Sequence, residues 1–449
     1  MNDSIFRKYD IRGIAETDLD NDTISKLGFI LAQKSPGGIF AIGRDCRPSG
    51  ERLKNQLARG AQAAGCKVID LGVQTTPMTY FAAYTHKLDI TVMITGSHNP
   101  AGYNGFKMMQ GTHTLWGEAI EEIHAEMENM APITYTQNPL EQLSIKEQYL
   151  DRLRAEFAPP VSLKIAVDAG NGTGGDCAVE LLTQLGHRVI PLFCEQDGTF
   201  PNHHPDPTVL KNLKTLQETV ISKKCDLGIA YDGDADRIGI VDEKGDVIFG
   251  DRILCVLAGA VLENNPGATI ISEVKASSVF FDDIIAKGGK AIMLPTGHSI
   301  IKEGMLRENA LLAGEMSGHI FFRDRYFGYD DALYATLRFL EIAEQSDDPV
   351  SALTSHLPAV MATPEIREDC DDEIKFDLVG RVKEKLLAEN YVINDIDGVR
   401  VEFENGWGLL RASNTQPVLV MRFEAGTESE LEEYEKEMRK VLELARREL

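Results

Sequence analysis

The sequence predicts an α/β protein: three similar α/β domains with mixed, largely parallel sheets, then a smaller C-terminal α+β domain. Three observations predict it. Short apolar runs alternate with helical patterns, which argues for sheets covered by helices. The alternation restarts near Ser162 and again near Arg252. After that, Gln345 to Ser355 and Pro364 to Asp372 turn acidic and proline-punctuated, as a linker would. A chain of 449 residues has room for three or four domains.

In the first unit, Gly38 to Ile42 reads as a strand, Glu51 to Ala64 as a helix and Lys67 to Leu71 as a strand. Asp89 to Ile94 is a strand running into TGSHNP. In the second, Leu163 to Val167 and His187 to Leu192 read as strands, with the Gly-rich turn DAGNGTGG and the helical stretch Ala178 to Leu185 between them. Leu227 to Tyr231 then runs into DGDADR. In the third, Thr269 to Ile271 precedes EVKASS, Ala291 to Leu294 precedes PTGHS, and Ala310 to Ala313 precedes GEMSGH. Each unit thus ends strands in polar loops, which is where open α/β sheets bind ligands. In the last domain, Gly398 to Glu404 alternates as a strand, NGWG turns, and Leu409 to Ala412 leads into RASNTQP. Val418 to Glu424 is a further strand. Thr427 to Leu449 is an amphipathic helix with Leu431, Met438, Val441 and Leu442 on its apolar side.

The formal charge is −24. Such a surface repels nucleic acid and anionic membranes, so neither is expected as a partner. An anionic substrate would need a local cationic cluster. The seven cysteines are scattered without a CxxC pair, which suits a reducing cytoplasm better than a disulfide framework. No apolar run approaches the ~18 residues of a membrane span. The N-terminus lacks an apolar signal region.

Four loops carry chemistry. In DGDADR, Asp232, Asp234 and Asp236 recur at alternate positions after a strand, so their carboxylates converge as the chain turns. Hard oxygen donors suit Mg²⁺, and Arg237 follows them to meet a phosphate. The loop lacks the sixth-position Gly and twelfth-position Glu of an EF-hand. In TGSHNP, Ser97 sits exposed between Gly96 and His98, with Lys107 downstream in NGFK. Alone, this serine reads equally as a turn or helix cap; with a cation nearby it becomes a covalent carrier. In GEMSGH, Glu315 and Ser317 suit vicinal sugar hydroxyls and His319 adds a donor, though a surface turn fits as well. RASNTQP gathers Arg411, Ser413, Asn414 and Thr415, a set suited to phosphate, or to an ordinary polar turn.

Together and in this order, the four loops resemble those of the α-D-phosphohexomutase family, over essentially the whole chain from FRKYDIRG onward. GEMSGH, PTGHS and FFRDRYFGYDDALYA are most similar to its bacterial phosphomannomutase/phosphoglucomutase branch. The phosphoglucosamine branch typically has Gln at Met316, and Ala235 stands where the family commonly has Gly. The resemblance implies four domains around a central cleft, expected here at 1–143, 144–248, 249–360 and 361–449, each contributing one loop. It implies a phosphorylated Ser97, with Mg²⁺ held by Asp232, Asp234, Asp236 and a phosphoserine oxygen. The reaction implied is reversible interconversion of hexose 1- and 6-phosphates through a hexose 1,6-bisphosphate, which also serves as activator. Arg12 and Tyr9 match the family's N-terminal motif. Lys107 lies near the phosphoserine in relatives, and Lys275 and His298 match substrate-contacting positions. His298 is the expected base, since Arg almost never loses its proton, with Arg12 and Lys107 as charge stabilisers. The expected partners are phosphosugars alone. The rival readings are a phosphoglucosamine mutase, a sugar-phosphate phosphatase and a silent binding paralogue, which would usually have lost Ser97 or an aspartate.

Overall fold

The computed structural model describes residues 2–136, 138–158, 161–414 and 416–448. The chain forms two compact units, Met1–Ala260 with Ser317–Thr354 and Val261–Met316 with Ser355–Leu449.

The first unit contains two mixed sheets. The order of the first is Ile11–Ile14, Tyr103–Gln110, Ile90–Ile94, Ile39–Arg44, Lys67–Val73 and Glu141–Gln142. Ile90–Ile94 is a buried β-branched run, as a central strand covered on both faces requires. It pairs parallel with Ile39–Arg44 and antiparallel with Tyr103–Gln110, in a register that sets Met93 opposite Lys107. The second sheet runs Val247–Ile248, Ile238–Asp242, Leu227–Tyr231, Lys164–Asp168 and Arg188–Leu192, with its last two pairings parallel.

Helices Asn21–Gln33 and Gly50–Ala63 cover the first sheet and cross each other closely. Asp20 caps the former, accepting from Asp22 N at 2.9 Å and Thr23 N at 3.0 Å. The close approach depends on glycine: a Cβ at Gly60 would lie 1.8 Å from Ser25 O, and one at Gly28 would lie 2.1 Å from Leu57 O.

In the second unit, Thr269–Glu273 pairs parallel with Lys290–Leu294 and with Leu312–Gly314. The other sheet is antiparallel, in the order Met361–Ala362, Val418–Ala425, Gly406–Ala412, Val399–Phe403 and Val392–Asn394. Helices Lys375–Ala388 and Glu428–Arg446 pack on it through Leu378, Val382, Met438 and Leu442. Two local readings change. The acidic stretch 364–372 contains a strand, Ile366–Asp369, paired with Val418–Ala425. Ile366 packs on the core, while Glu368 is ion-paired to Arg439 and Arg446, so its charge does not oppose a strand. NGWG is only partly a turn, because Trp407 is fully buried within Gly406–Ala412.

The fold is therefore three α/β domains and an α+β domain with mixed sheets, and its loops leave the carboxyl ends of the predicted strands. Among the described residues, no helix is long and apolar enough to cross a membrane.

Candidate active site

In the first unit, the loops after Ile90–Ile94 and Leu227–Tyr231 meet. Ser97 Oγ donates to Asp232 Oδ2 at 2.7 Å and lies 3.2 Å from His98 Nδ1. Ser97, expected to be exposed, is instead buried because its turn packs against the carboxylate loop and Arg47, and it adopts φ 47°, a left-handed conformation rare for a side-chain-bearing residue. Ala235 does the same at φ 58°, so it occupies the conformation that explains the commoner glycine there.

Asp232, Asp234 and Asp236 are fully buried and offer oxygens within 4.8 Å of one another. Lys107 Nζ donates to Asp234 Oδ2 at 2.9 Å and to Asp236 Oδ2. Thr76 Oγ1 also donates to Asp234 Oδ2, at 2.5 Å. Asp234 Oδ1 is buried with no hydrogen-bond partner among the described residues. Burial, with the neighbouring Asp234 and Asp236 charges, pushes the Asp232 carboxyl well above the usual range. Burial also pushes Asp236 up, but Lys107, His319 and Arg237 outweigh it and hold that carboxyl well below. Surplus buried negative charge and an unused carboxylate oxygen are what a hard divalent cation would satisfy, so these residues fit a metal.

Of the other predicted residues, His319, Arg237 and Ser317 join this cluster. His319 Nε2 lies 3.2 Å from Asp236 Oδ1 and 3.2 Å from Arg237 Nε, and its Nδ1 lies 3.1 Å from Ser317 Oγ. Arg12 is ion-paired with Asp10, and Tyr9 is buried beside it in sequence. Burial, with Arg237, Arg12 and His319 around it, holds the His98 imidazole well below its usual range, so it is neutral at pH 7.

The second unit gathers a different set. Glu273 is buried at its centre, accepting from Lys275 N at 2.7 Å, Thr296 Oγ1 at 2.9 Å and Met316 N at 3.3 Å. Glu315 accepts from Gly297 N at 2.8 Å, beside the buried His298 that opens helix His298–Arg307. Lys275 Nζ pairs with Glu365 at 3.1 Å. Asp397 Oδ2 accepts from both Arg411 Nε, at 2.9 Å, and Thr296 N, at 3.0 Å. The loops EVKASS, PTGHS and RASNTQP, with Glu315, are thus wired together. Ser413 Oγ accepts from Gln416 N at 3.1 Å, with Asn414 next in the loop. Thr415 lies outside the described residues.

Sequence reasoning passed over Arg47, Thr76, Glu273, Glu365 and Asp397. A signal existed for two of them. Arg47 lies in GRDCRPSG, another polar loop at a strand end, and Glu273 opens EVKASS. His203, in PNHHPDP, is a satisfied loop histidine paired with Asp168 at 3.0 Å.

Four family models match successive segments. These are the phosphoglucomutase/phosphomannomutase alpha/beta/alpha domains I, II and III, at residues 3–133, 147–245 and 249–361, and the C-terminal domain at 365–441. The chain is 43% identical to a phosphomannomutase/phosphoglucomutase of Pseudomonas syringae pv. tomato, over 96% of this chain and 93% of that one. It is 44% identical to a phosphoglucomutase of Neisseria meningitidis serogroup A, over 98% and 96%. A crystal structure of a phosphoglucomutase/phosphomannomutase family protein from Burkholderia thailandensis matches with a TM-score of 0.92 at 37% identity, over 99% of this chain and 98% of that one. The chain belongs to the phosphoglucomutase/phosphomannomutase family and is a phosphohexomutase, an enzyme of the isomerase class.

Proposed function

We propose that this phosphohexomutase interconverts the 1- and 6-phosphates of mannose and glucose, with Ser97 as the phosphoryl carrier and a hexose 1,6-bisphosphate as intermediate and activator. The observation that carries this reading is the 2.7 Å bond from Ser97 Oγ to Asp232, which puts a nucleophilic oxygen on the three-carboxylate loop. The names of the relatives support both sugars over glucosamine.

In this reading, a sugar hydroxyl attacks the phosphorus on Ser97. The bond from phosphorus to Oγ breaks, a bond to the sugar oxygen forms, and Oγ takes up a proton. His298 receives the proton of the attacking hydroxyl. The bisphosphate then reverses its orientation and returns its other phosphoryl group to Ser97: Oγ gives up its proton and bonds to phosphorus, the bond from phosphorus to the second sugar oxygen breaks, and that oxygen takes the proton back from His298. Asp232, Asp234, Asp236 and a phosphoserine oxygen would hold Mg²⁺, whose bound charge would offset that of the transferring group. Lys107 works as a fixed cation rather than a base. Burial lowers its proton affinity, but Asp234 and Asp236 more than reverse this and keep it charged. Arg12 and Arg237 add positive charge near Ser97. Tyr9, Lys275, Glu315, Ser317 and His319 bind the sugar phosphate. Arg411, Ser413, Asn414 and Thr415 hold the phosphate that is not reacting. Guanidinium and hydroxyl donors suit that task in either sugar orientation.

The test is a specificity assay with Mg²⁺ and a trace of hexose 1,6-bisphosphate, offering mannose 1-phosphate, glucose 1-phosphate or glucosamine 1-phosphate. Comparable kcat/KM for the first two supports the reading. A strong preference for glucosamine would move the chain to the phosphoglucosamine reading, and phosphate release without isomerised product would make it a phosphatase.

A further inference from the structure

Ser97 is held on both sides of its own Cα. Its N–H donates to Thr95 Oγ1 at 2.8 Å, and its carbonyl accepts from Arg47 Nη2 at 2.8 Å. Arg47 does more than this. Nη2 also donates to Asn99 O at 2.6 Å, Nη1 to Pro100 O at 2.6 Å and Tyr103 O at 3.0 Å, and Nε to Asp45 Oδ2 at 3.1 Å. A guanidinium has five N–H donors, and here each has an acceptor. Asp45 Oδ2 in turn accepts from Thr95 Oγ1 at 2.8 Å and Gly96 N at 3.1 Å. One side chain therefore ties together both ends of the turn 95–103. Its packing is as complete as its bonding. A Cβ at Gly96 would lie 2.5 Å from Arg47 Cζ, so glycine there makes room for the guanidinium. The Phe200 ring covers Arg47 with Cζ 4.9 Å from its centroid.

We infer that Arg47 is the positioning residue of the phosphoryl carrier: its planar fork imposes the left-handed conformation of Ser97 that turns Oγ toward Asp232. This rests on the reading of Ser97 as the carrier. The left-handed conformation is unfavourable for serine, and such conformations persist only where the surroundings over-determine them. A lysine at 47 keeps the charge but brings three donors at a single point, which cannot reach five acceptors spread around the turn.

The test uses the full chain with Mg²⁺ and glucose 1,6-bisphosphate, comparing wild type with Arg47→Lys. The readouts are kcat and KM for glucose 1-phosphate, the rate at which Ser97 takes up phosphate from the bisphosphate (by intact mass), and the melting temperature. A misaimed Oγ predicts a fall of about 100-fold in kcat and in the phosphorylation rate, with KM held within about threefold. A lowered melting temperature with kcat and phosphorylation rate unchanged would show a structural role alone and overturn the inference. Should Arg47→Lys fail to fold, Phe200→Leu keeps every polar contact and loosens only the cover. It should lower kcat several-fold at constant KM, and an unchanged kcat overturns the inference. Failure of the carrier reading looks different, because wild type dephosphorylated beforehand would then take up no phosphate at Ser97.

Discussion

Lys107 Nζ lies 2.9 Å from Asp234 Oδ2, with both side chains buried, and so one ammonium is tied to the carboxylate loop from a different strand. The contact follows from register. Antiparallel pairing of Tyr103–Gln110 with Ile90–Ile94 brings Lys107 opposite Met93, next to the turn that carries Ser97. Asp234 Oδ1 is still left without a hydrogen-bond partner among the described residues, which is why the site reads as prepared for a further cation.

Removing that ammonium should separate charge balance from catalysis. Lys107→Met should bind Mg²⁺ more tightly than wild type in a calorimetric titration, because a competing positive charge is gone. Its kcat should still fall by about 100-fold, as for loss of one preorganised charge at a transferring group. Weaker Mg²⁺ binding would count against this balance of charges.

Divalent cation should also stabilise the fold. At a concentration 100 times its Kd, Mg²⁺ bound only to the folded state contributes about 2.7 kcal/mol, roughly 3 °C in melting temperature. Differential scanning calorimetry with and without Mg²⁺ measures this increment. Asp234→Asn should lose most of it, whatever its own melting temperature.

A second buried carboxylate gives a pH signature away from the site. Asp331 accepts from Tyr149 at 2.8 Å, from Tyr326 at 2.8 Å and from Tyr334 N at 2.9 Å. Burial pushes it up to about 6 although these bonds favour its charge. Its folded value lies above the usual 3.8, so its contribution to stability is full below that value and is lost as pH rises through about 6. Urea denaturation should therefore show stability falling between about pH 4 and 6, with a smaller slope in Asp331→Asn. Tyr149→Phe should cost about 1–3 kcal/mol at pH 7, where the carboxylate loses a donor.

Asp397 orients Arg411 while holding Thr296 N. Asp397→Asn should leave a less well-aimed guanidinium and raise KM for glucose 1-phosphate by about tenfold, or some 1.4 kcal/mol. An unchanged KM in steady-state kinetics would remove Arg411 from the phosphate-binding set.

Much of this was legible in the sequence, because strands whose carboxyl ends carry the chemistry are short and strongly apolar. Ile90–Ile94 and Leu227–Tyr231 are buried along their whole length, and the polar loops after them stand out by contrast. What the sequence hid depends on contacts between distant segments. Arg47 and Ser97 are fifty positions apart, and the polar loop GRDCRPSG marks a strand end without showing that its second arginine reaches the turn of Ser97. Ile366–Asp369 looked like a linker because its charges are neutralised by a helix some seventy residues later. Trp407 followed a turn signal, yet the indole is buried with its N–H on Glu424 at 2.9 Å.

The most direct test of the account is turnover of glucose 1-phosphate by Ser97→Ala under saturating Mg²⁺ and glucose 1,6-bisphosphate, with circular dichroism confirming the fold. If the phosphoryl group passes through Ser97 Oγ, the variant should lose at least about 10⁴-fold in kcat, since the substitution removes the oxygen that carries the group. A folded Ser97→Ala protein that turns over at a rate near wild type would contradict the account at its centre.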